Sequence, residues 1–251
     1  MSVNVMPRPE FENMIKTQDK HFWFQGKRRI IDKIIKTKVY RGAALKILEI
    51  GSGTGANLPV LSKYGHVTAV EYDDYARSFI KADANVSVKS GYLPDGLDEI
   101  KNNKFDLICL FDVLEHIEDD NASLEAINNY LKPHGKFFMT VPAYQFMYSK
   151  HDKILGHYRR YTLKQVKNLC AAQGFKILYT GYFNCLLFPL MLAARVADKF
   201  ATGGGGWSSG SGILPLGLNS LFEKIFNLEP LLMPFIKFPF GGSVLALCER
   251  F

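Results

Sequence analysis

Residues 47–55 read Ile-Leu-Glu-Ile-Gly-Ser-Gly-Thr-Gly, an apolar strand running straight into a turn with a glycine at every second position. Few folds accommodate such a stretch. Gly51, Gly53 and Gly55 lack the Cβ atoms that would keep a ligand off the backbone. The segment from Ala56 to Lys63 is expected to start a helix, so its free N–H groups would face whatever lies on the turn. Strand, bare turn and helix start predict a nucleoside-binding corner. The glycines by themselves have two readings, because Gly51-x-Gly53-x-x-Ala56 also fits the dinucleotide fingerprint, whose third glycine is replaceable by alanine.

The surroundings separate the two. Glu49, at the end of the strand, suits a ligand that carries an amino group and a positive charge, which a dinucleotide does not. The next apolar run, Val67 to Val70, ends at Glu71 and Tyr72, and an acid there can accept both hydroxyls of a ribose. Further on, Lys104 to Ile117 holds another buried strand followed by the polar turn Asp112-Val-Leu-Glu-His116. With Glu49–Gly55, Glu71, Phe105–His116 and Leu131-Lys-Pro-His-Gly135 in this order, the chain resembles the class I S-adenosylmethionine-dependent methyltransferases. The resemblance implies S-adenosyl-L-methionine as cofactor. Glu49, Gly51, Ser52, Gly53 and Gly55 would form its corner, Glu71 and Tyr72 would meet the ribose, and Phe111 and Asp112 would line the methionine end. It also implies that Glu115 and His116 face the reaction cavity. One departure stands out: where the family commonly has an acid for the adenine amino group, this chain has Ser90-Gly91-Tyr92. Adenine recognition is then expected from the backbone of Gly91 and Tyr92 or from the Ser90 hydroxyl.

Methyl transfer from a sulfonium is an in-line displacement that needs positioning and a base only where the nucleophile carries a proton. His116, His151 and His157 are the candidate bases; the bland reading of His116 is a polar surface residue, and of Asp112 a turn cap. The connection after the fifth strand is long and loaded, with Tyr144, His151-Asp152 and Gly156-His-Tyr-Arg-Arg-Tyr161. Tyr144, Arg159 and Arg160 are candidate substrate contacts, the arginines through a forked hold on a phosphate or carboxylate; structural ion pairing is the rival reading for both. This loop, with His21-Phe-Trp-Phe24 and Arg28-Arg29, resembles a bacterial subgroup of the family. Trp23 is then either a latch on the core or part of a lid that touches the sulfonium through a cation–π contact.

The fold expected is α/β: a Rossmann-like doubly wound sheet of about seven strands, mostly parallel with an antiparallel last strand, and helices on both faces. Strands are predicted near 45–50, 66–71, 86–89, 105–111, 136–141 and 175–182, with Gly242 to Glu249 as the last. Helices are predicted near 55–63, 74–82, 119–131 and 163–173, the last with a Thr162/Gln165 capping box. Residues 1–42 form an N-terminal helical lid segment, 43–183 plus 241–251 the cofactor-binding core, and 184–240 an apolar insertion with a Gly203–Gly212 tract read as a flexible loop. The insertion is greasier than exposed helices should be. It can cap a hydrophobic acceptor, lie on a membrane beside Lys199, Lys224 and Lys237, or pair two copies in a homodimer.

The net charge of +7 from 31 basic and 24 acidic residues suits a mildly basic cytoplasmic enzyme, at most peripheral to the inner face of a membrane. The basic residues are scattered and no nucleic-acid-binding motif is found, so no nucleic-acid partner is expected. Cys109, Cys170, Cys185 and Cys248 have no metal or redox spacing, no metal is expected, and no segment has signal-peptide or membrane-spanning length. The expected activity is methyl transfer to a small or amphiphilic, lipid-like acceptor, with oxygen preferred. The rivals are a nicotinamide-dependent oxidoreductase and a non-catalytic cofactor-binding module.

Overall fold

The structure is a computed structural model that describes residues 6–200 and 215–251. The Gly203–Gly212 tract and the Lys199 side chain lie outside the described residues. Seven strands form one sheet: β1 (Leu45–Ile50), β2 (Gly65–Val70), β3 (Val86–Lys89), β4 (Phe105–Phe111), β5 (Leu131–Pro142), β6 (Phe175–Phe183) and β7 (Ser243–Arg250). Their order is β3-β2-β1-β4-β5-β7-β6, and only β7 runs against the others. The central strands are apolar runs buried on both faces, as parallel strands under two helical layers must be. The order reverses between β1 and β4, so the crevice at their carboxyl ends is where such a sheet binds ligands. Gly51 and Asp112 follow those two ends directly.

The predicted strands are all present. β5 starts earlier than expected because Leu131 already pairs with Phe105; the chain then bulges through His134, at φ 59°, and resumes at Lys136 opposite Leu107. The helices that cover the sheet include α5 (Asp120–Tyr130), started by the Asp119 carboxylate, and α7 (Leu163–Ala172), started by the Thr162/Gln165 capping box.

Three helical expectations change. The helix after the glycine corner is one turn, α3 (Leu58–Leu61), because Gly55 is left-handed at φ 85° and Pro59 lies in the first turn. The glycine turn therefore supplies the backbone of the corner, and a helix end does not. The helix after β2, α4 (Asp74–Arg77), is equally short, and Ile80 leaves its axis to pack over Gly55. The N-terminal segment is two helices, α1 (Arg8–Thr17) and α2 (Phe22–Ile34), the second capped by His21 and continued as a π turn over Ile35–Val39. Ile30, Ile31, Ile34 and Ile35 are buried, so this segment supplies part of the core.

The long β5–α7 connection carries α6 (Lys150–Leu155). Between β6 and β7 lie α8 (Phe188–Phe200), α9 (Leu216–Phe226) and α10 (Glu229–Leu232). A single carboxylate ties this insertion down. Glu229 is fully buried and accepts the backbone N–H groups of Asn184, Cys185 and Leu186 at 2.6, 2.7 and 2.9 Å, closing the entry to α8 onto the start of α10. The insertion also joins the N-terminal segment. Phe226 packs on Gly26 so tightly that a Cβ there would sit 2.2 Å from its ring, and Asn219 accepts Phe22 N–H at 3.0 Å. Two stretches from opposite ends of the chain thus form one cover beside the crevice.

Candidate active site

The corner is built from the ends of β1 and β2. Gly51, Gly53 and Gly55 all have positive φ, at 70°, 54° and 85°. Gly51 N–H donates to Val70 O at 2.8 Å and Gly53 N–H to Glu71 Oε2 at 2.7 Å, which holds the turn against the neighbouring strand. Glu71 Oε1 accepts Asp73 N–H at 2.9 Å, so each carboxylate oxygen holds one backbone donor and keeps a lone pair for a hydroxyl. Glu49 is buried: Asn57 donates to Oε1 at 2.9 Å, while Oε2 has no hydrogen-bond partner. Burial pushes its pKa up to about 7, against the opposing pull of Asn57 and Lys27. The N-terminal helices lie over the corner. Gln18 Oε1 accepts from the Thr54 hydroxyl at 2.6 Å, and Arg28 donates to Ala56 O at 3.0 Å.

At the end of β4, Asp112 holds φ 56°, with its N–H on Thr140 O and its Oδ1 accepting from the Thr140 hydroxyl at 3.0 Å. Its Oδ2 pairs with Lys27 at 2.5 Å. Burial raises the Asp112 pKa, and the Lys27 ammonium outweighs it, so the carboxyl titrates below its usual range. Lys27 is a site residue that the sequence reading did not single out. The signal was present: Lys27 shares one helical face with Ile30, Ile31 and Ile34. It is 7 % exposed.

The same turn and the β5–α7 connection bring Glu115, His116 and His157 together. The two imidazoles meet edge to face at 4.6 Å. His157 Nδ1 contacts Asp152 Oδ1 at 2.9 Å, and Arg160 Nε and Ser149 N–H hold the same carboxylate at 2.8 Å each. Burial, then the neighbouring His157, lowers the His116 pKa to about 3. A ring that holds a proton so weakly is a poor general base. The expectation of a His116 base is corrected accordingly. His151 is also kept neutral, chiefly by burial, with its pKa at about 4.

Several other candidates have structural partners. Arg160 is 8 % exposed and committed to Asp152 and Ala143 O, so it does not reach an anionic substrate. Arg159 pairs with Asp120 at 3.0 Å and Glu118 O at 2.6 Å; the ion-pair reading holds for both arginines. Trp23 stacks on Phe183 and Phe226 at 5.9 and 5.7 Å, which is the latch arrangement and leaves the sulfonium contact without support. Tyr144, at φ 60°, stacks on Tyr182 and Phe146 at 5.3 and 5.2 Å and tilts against Phe188 of the insertion. Ser52 turns its hydroxyl inward to Glu49 O. Phe111 lies buried against Phe138. At the adenine end, Tyr92 N–H and C=O both pair with Gly96 and the Ser90 hydroxyl accepts from Arg77 at 3.1 Å, so the Tyr92 backbone contact is corrected. Gly91 is buried against Gly96 O and the Val70 and Leu97 side chains, and the Tyr72 and Tyr92 rings meet edge to face at 5.2 Å.

These residues fit an adenosyl sulfonium. Unpartnered Glu49 Oε2 suits an ammonium, the Glu71 lone pairs suit a ribose diol, and side-chain-free Gly53 leaves room for the nucleoside. Sheet order, switch-point position and acid-flanked glycine turn together define the S-adenosylmethionine-binding Rossmann-like class. The sequence profile of the Methyltransferase domain family matches residues 17–180, well over half of the chain. The protein belongs to that family, and S-adenosylmethionine is its cofactor; this disfavours the nicotinamide reading. It is similar to the ubiquinone biosynthesis O-methyltransferase of Xylella fastidiosa, with 30% identity over 118 residues, 44% of this chain and 46% of that protein. The Rickettsia canadensis protein of the same name is 31% identical over 113 residues, 42% of this chain and 46% of its own length. The chain thus spans about half the length of these curated relatives. Among solved folds it resembles the putative methyltransferase complexed with the Haloferax volcanii Trm112 methyltransferase activator, at TM-score 0.62 and 14% identity over 97% of this chain and 94% of that one. It also resembles the [4+2]-cyclase SpnF, at TM-score 0.57 and 16% identity over 91% and 83%. A cyclase in this company shows that the scaffold alone does not fix the reaction.

Proposed function

We propose that the protein methylates a hydroxyl oxygen of a small amphiphilic acceptor. The observation that supports this most directly is the convergence of Glu115, His116 and His157 next to the Asp112 turn, at the carboxyl edge of the sheet. Two imidazoles beside a carboxyl group suit the binding and orientation of a hydroxyl. The names of the curated relatives support oxygen as the acceptor atom. The cover formed by α2 and the insertion favours an acceptor with an apolar part, because Phe22, Trp23, Phe222 and Phe226 present aromatic surface there.

The exposed side of the insertion supports a contact with an anionic membrane surface. Leu221, Leu228, Leu231, Phe235 and Ile236 are all exposed, Phe235 at 86 %, in the same segment as exposed Lys224 and Lys237. Among the described residues no helix is long and apolar enough to cross a membrane. The test of the reaction is S-adenosylhomocysteine release with a panel of catechols and amines, with and without alkyl tails. Turnover on tailed catechols is the expected result; turnover on amines alone would overturn the oxygen reading.

A further inference from the structure

Glu115 is a buried carboxyl group to which the protein gives no partner. It is 0 % exposed, and neither oxygen has a hydrogen bond. A group in this state needs either a proton or a cation. The two histidines beside it are prepared in a particular way. His157 has its Nδ1 occupied from behind by the Asp152 carboxylate at 2.9 Å, and His116 meets its ring edge to face at 4.6 Å. The Asp152 contact fixes the His157 tautomer and leaves its Nε2 as the free ring nitrogen. One donor atom from each of Glu115, His116 and His157 lies within 4.8 Å of the other two.

We propose that Glu115, His116 and His157 bind a divalent transition-metal ion of the zinc type, leaving a coordination position open to an oxygen ligand. Two imidazoles and one carboxylate are the three-ligand set that keeps such a position open. His157, backed by the Asp152 carboxylate, is the kind of oriented histidine that metal sites use. Imidazole ligands favour zinc-like ions over magnesium or calcium, which take oxygen.

The role of the ion rests on the O-methylation reading; its binding does not. An acceptor hydroxyl on the open position loses its proton to water more readily, as metal-bound oxygen does. The oxygen then forms its bond to the methyl carbon while the carbon–sulfur bond breaks, and that electron pair neutralises the sulfonium. The ether product is a weak ligand and leaves.

The test uses the whole chain, stripped with a chelator and titrated with Co2+ as the optical probe and Zn2+ as competitor. One Co2+ per chain with visible d–d absorption, displaced by Zn2+, is expected. H116A and H157A should each weaken binding by roughly 100-fold, at or beyond the upper end of what loss of an outer partner causes. Glu115→Gln, which keeps the shape and removes the charge, should also lose the ion, and Zn2+ should raise the melting temperature of the parent and leave that of E115Q unchanged. S-adenosylhomocysteine calorimetry on each variant reports folding. Absence of stoichiometric Co2+ in a parent that binds S-adenosylhomocysteine, or equal Co2+ affinity in parent and H157A, overturns the metal site alone. Metal binding without S-adenosylhomocysteine binding would instead overturn the cofactor reading.

Discussion

Glu49 sets a pH dependence that can be worked out in advance. Its carboxyl titrates at about 7 in the folded chain, against an ordinary 4.5. Between those values the folded state holds a proton that the unfolded chain has released. Stability of the cofactor-free protein therefore falls as pH rises through this window and levels off above it, at about 1.4 kcal/mol per pH unit of difference. Glu49→Gln should flatten that slope in denaturant melts at pH 5 to 8. S-adenosylhomocysteine affinity should do the opposite and rise through pH 7, because the ionised carboxylate is the form that accepts an ammonium; a flat affinity profile would remove Glu49 from the cofactor site. Lys27 gives a second test. Lys27→Met leaves Asp112 without its cation and should cost about 2 kcal/mol, the scale of a hydrogen bond to a charged group. In that variant the Asp112 resonance followed by NMR should titrate at higher pH than in the parent.

The elements outside the sheet depend on a few close contacts. Gly26→Ala puts a methyl group into the Phe226 ring, so α2 and α9 must part. The expected loss is about 1–3 kcal/mol, the usual cost of overpacking, and limited proteolysis should show faster cleavage in the insertion. Glu229→Ala strands three backbone donors at the entry to α8, where the loss should be larger, about 3 kcal/mol or more from buried unsatisfied groups. Glu229→Gln keeps one acceptor and should fall between parent and alanine variant. At this level the sequence was readable where periodicity and caps are local. The strand spans and the Thr162/Gln165 box are examples, since each depends only on residues a few positions apart. α3 and α4 came out short for reasons that local pattern understates. Pro59 and Gly55 delay the first, and Ile80 is drawn off the second by a packing site on another segment.

For the molecule as a whole, the insertion leaves apolar side chains in solvent on the side away from α2. If that surface meets a membrane, the full chain should float with phosphatidylglycerol vesicles and much less with phosphatidylcholine, as expected of electrostatic plus apolar interfacial binding. Leu231→Glu with Phe235→Glu should abolish flotation while S-adenosylhomocysteine affinity stays the same. A sedimentation shift from dimer to monomer in that variant, with no flotation in the parent, would assign the patch to homodimerisation.

The amino-acid order alone determined the strands, the glycine corner, the Glu49 and Glu71 acids and hence the cofactor class, because each is written in a short continuous stretch. Only tertiary structure could decide the rest. The withdrawal of Arg160 to Asp152 depends on how one loop folds back on itself, and the Lys27–Asp112 pair and the meeting of Glu115 and His116 with His157 join segments far apart in the chain. So does the single cover made from α2 and the insertion. Residue spacing carries information over a turn of helix or a strand; which side chain neutralises a buried charge is settled by what the folded sheet brings within a few ångströms of it.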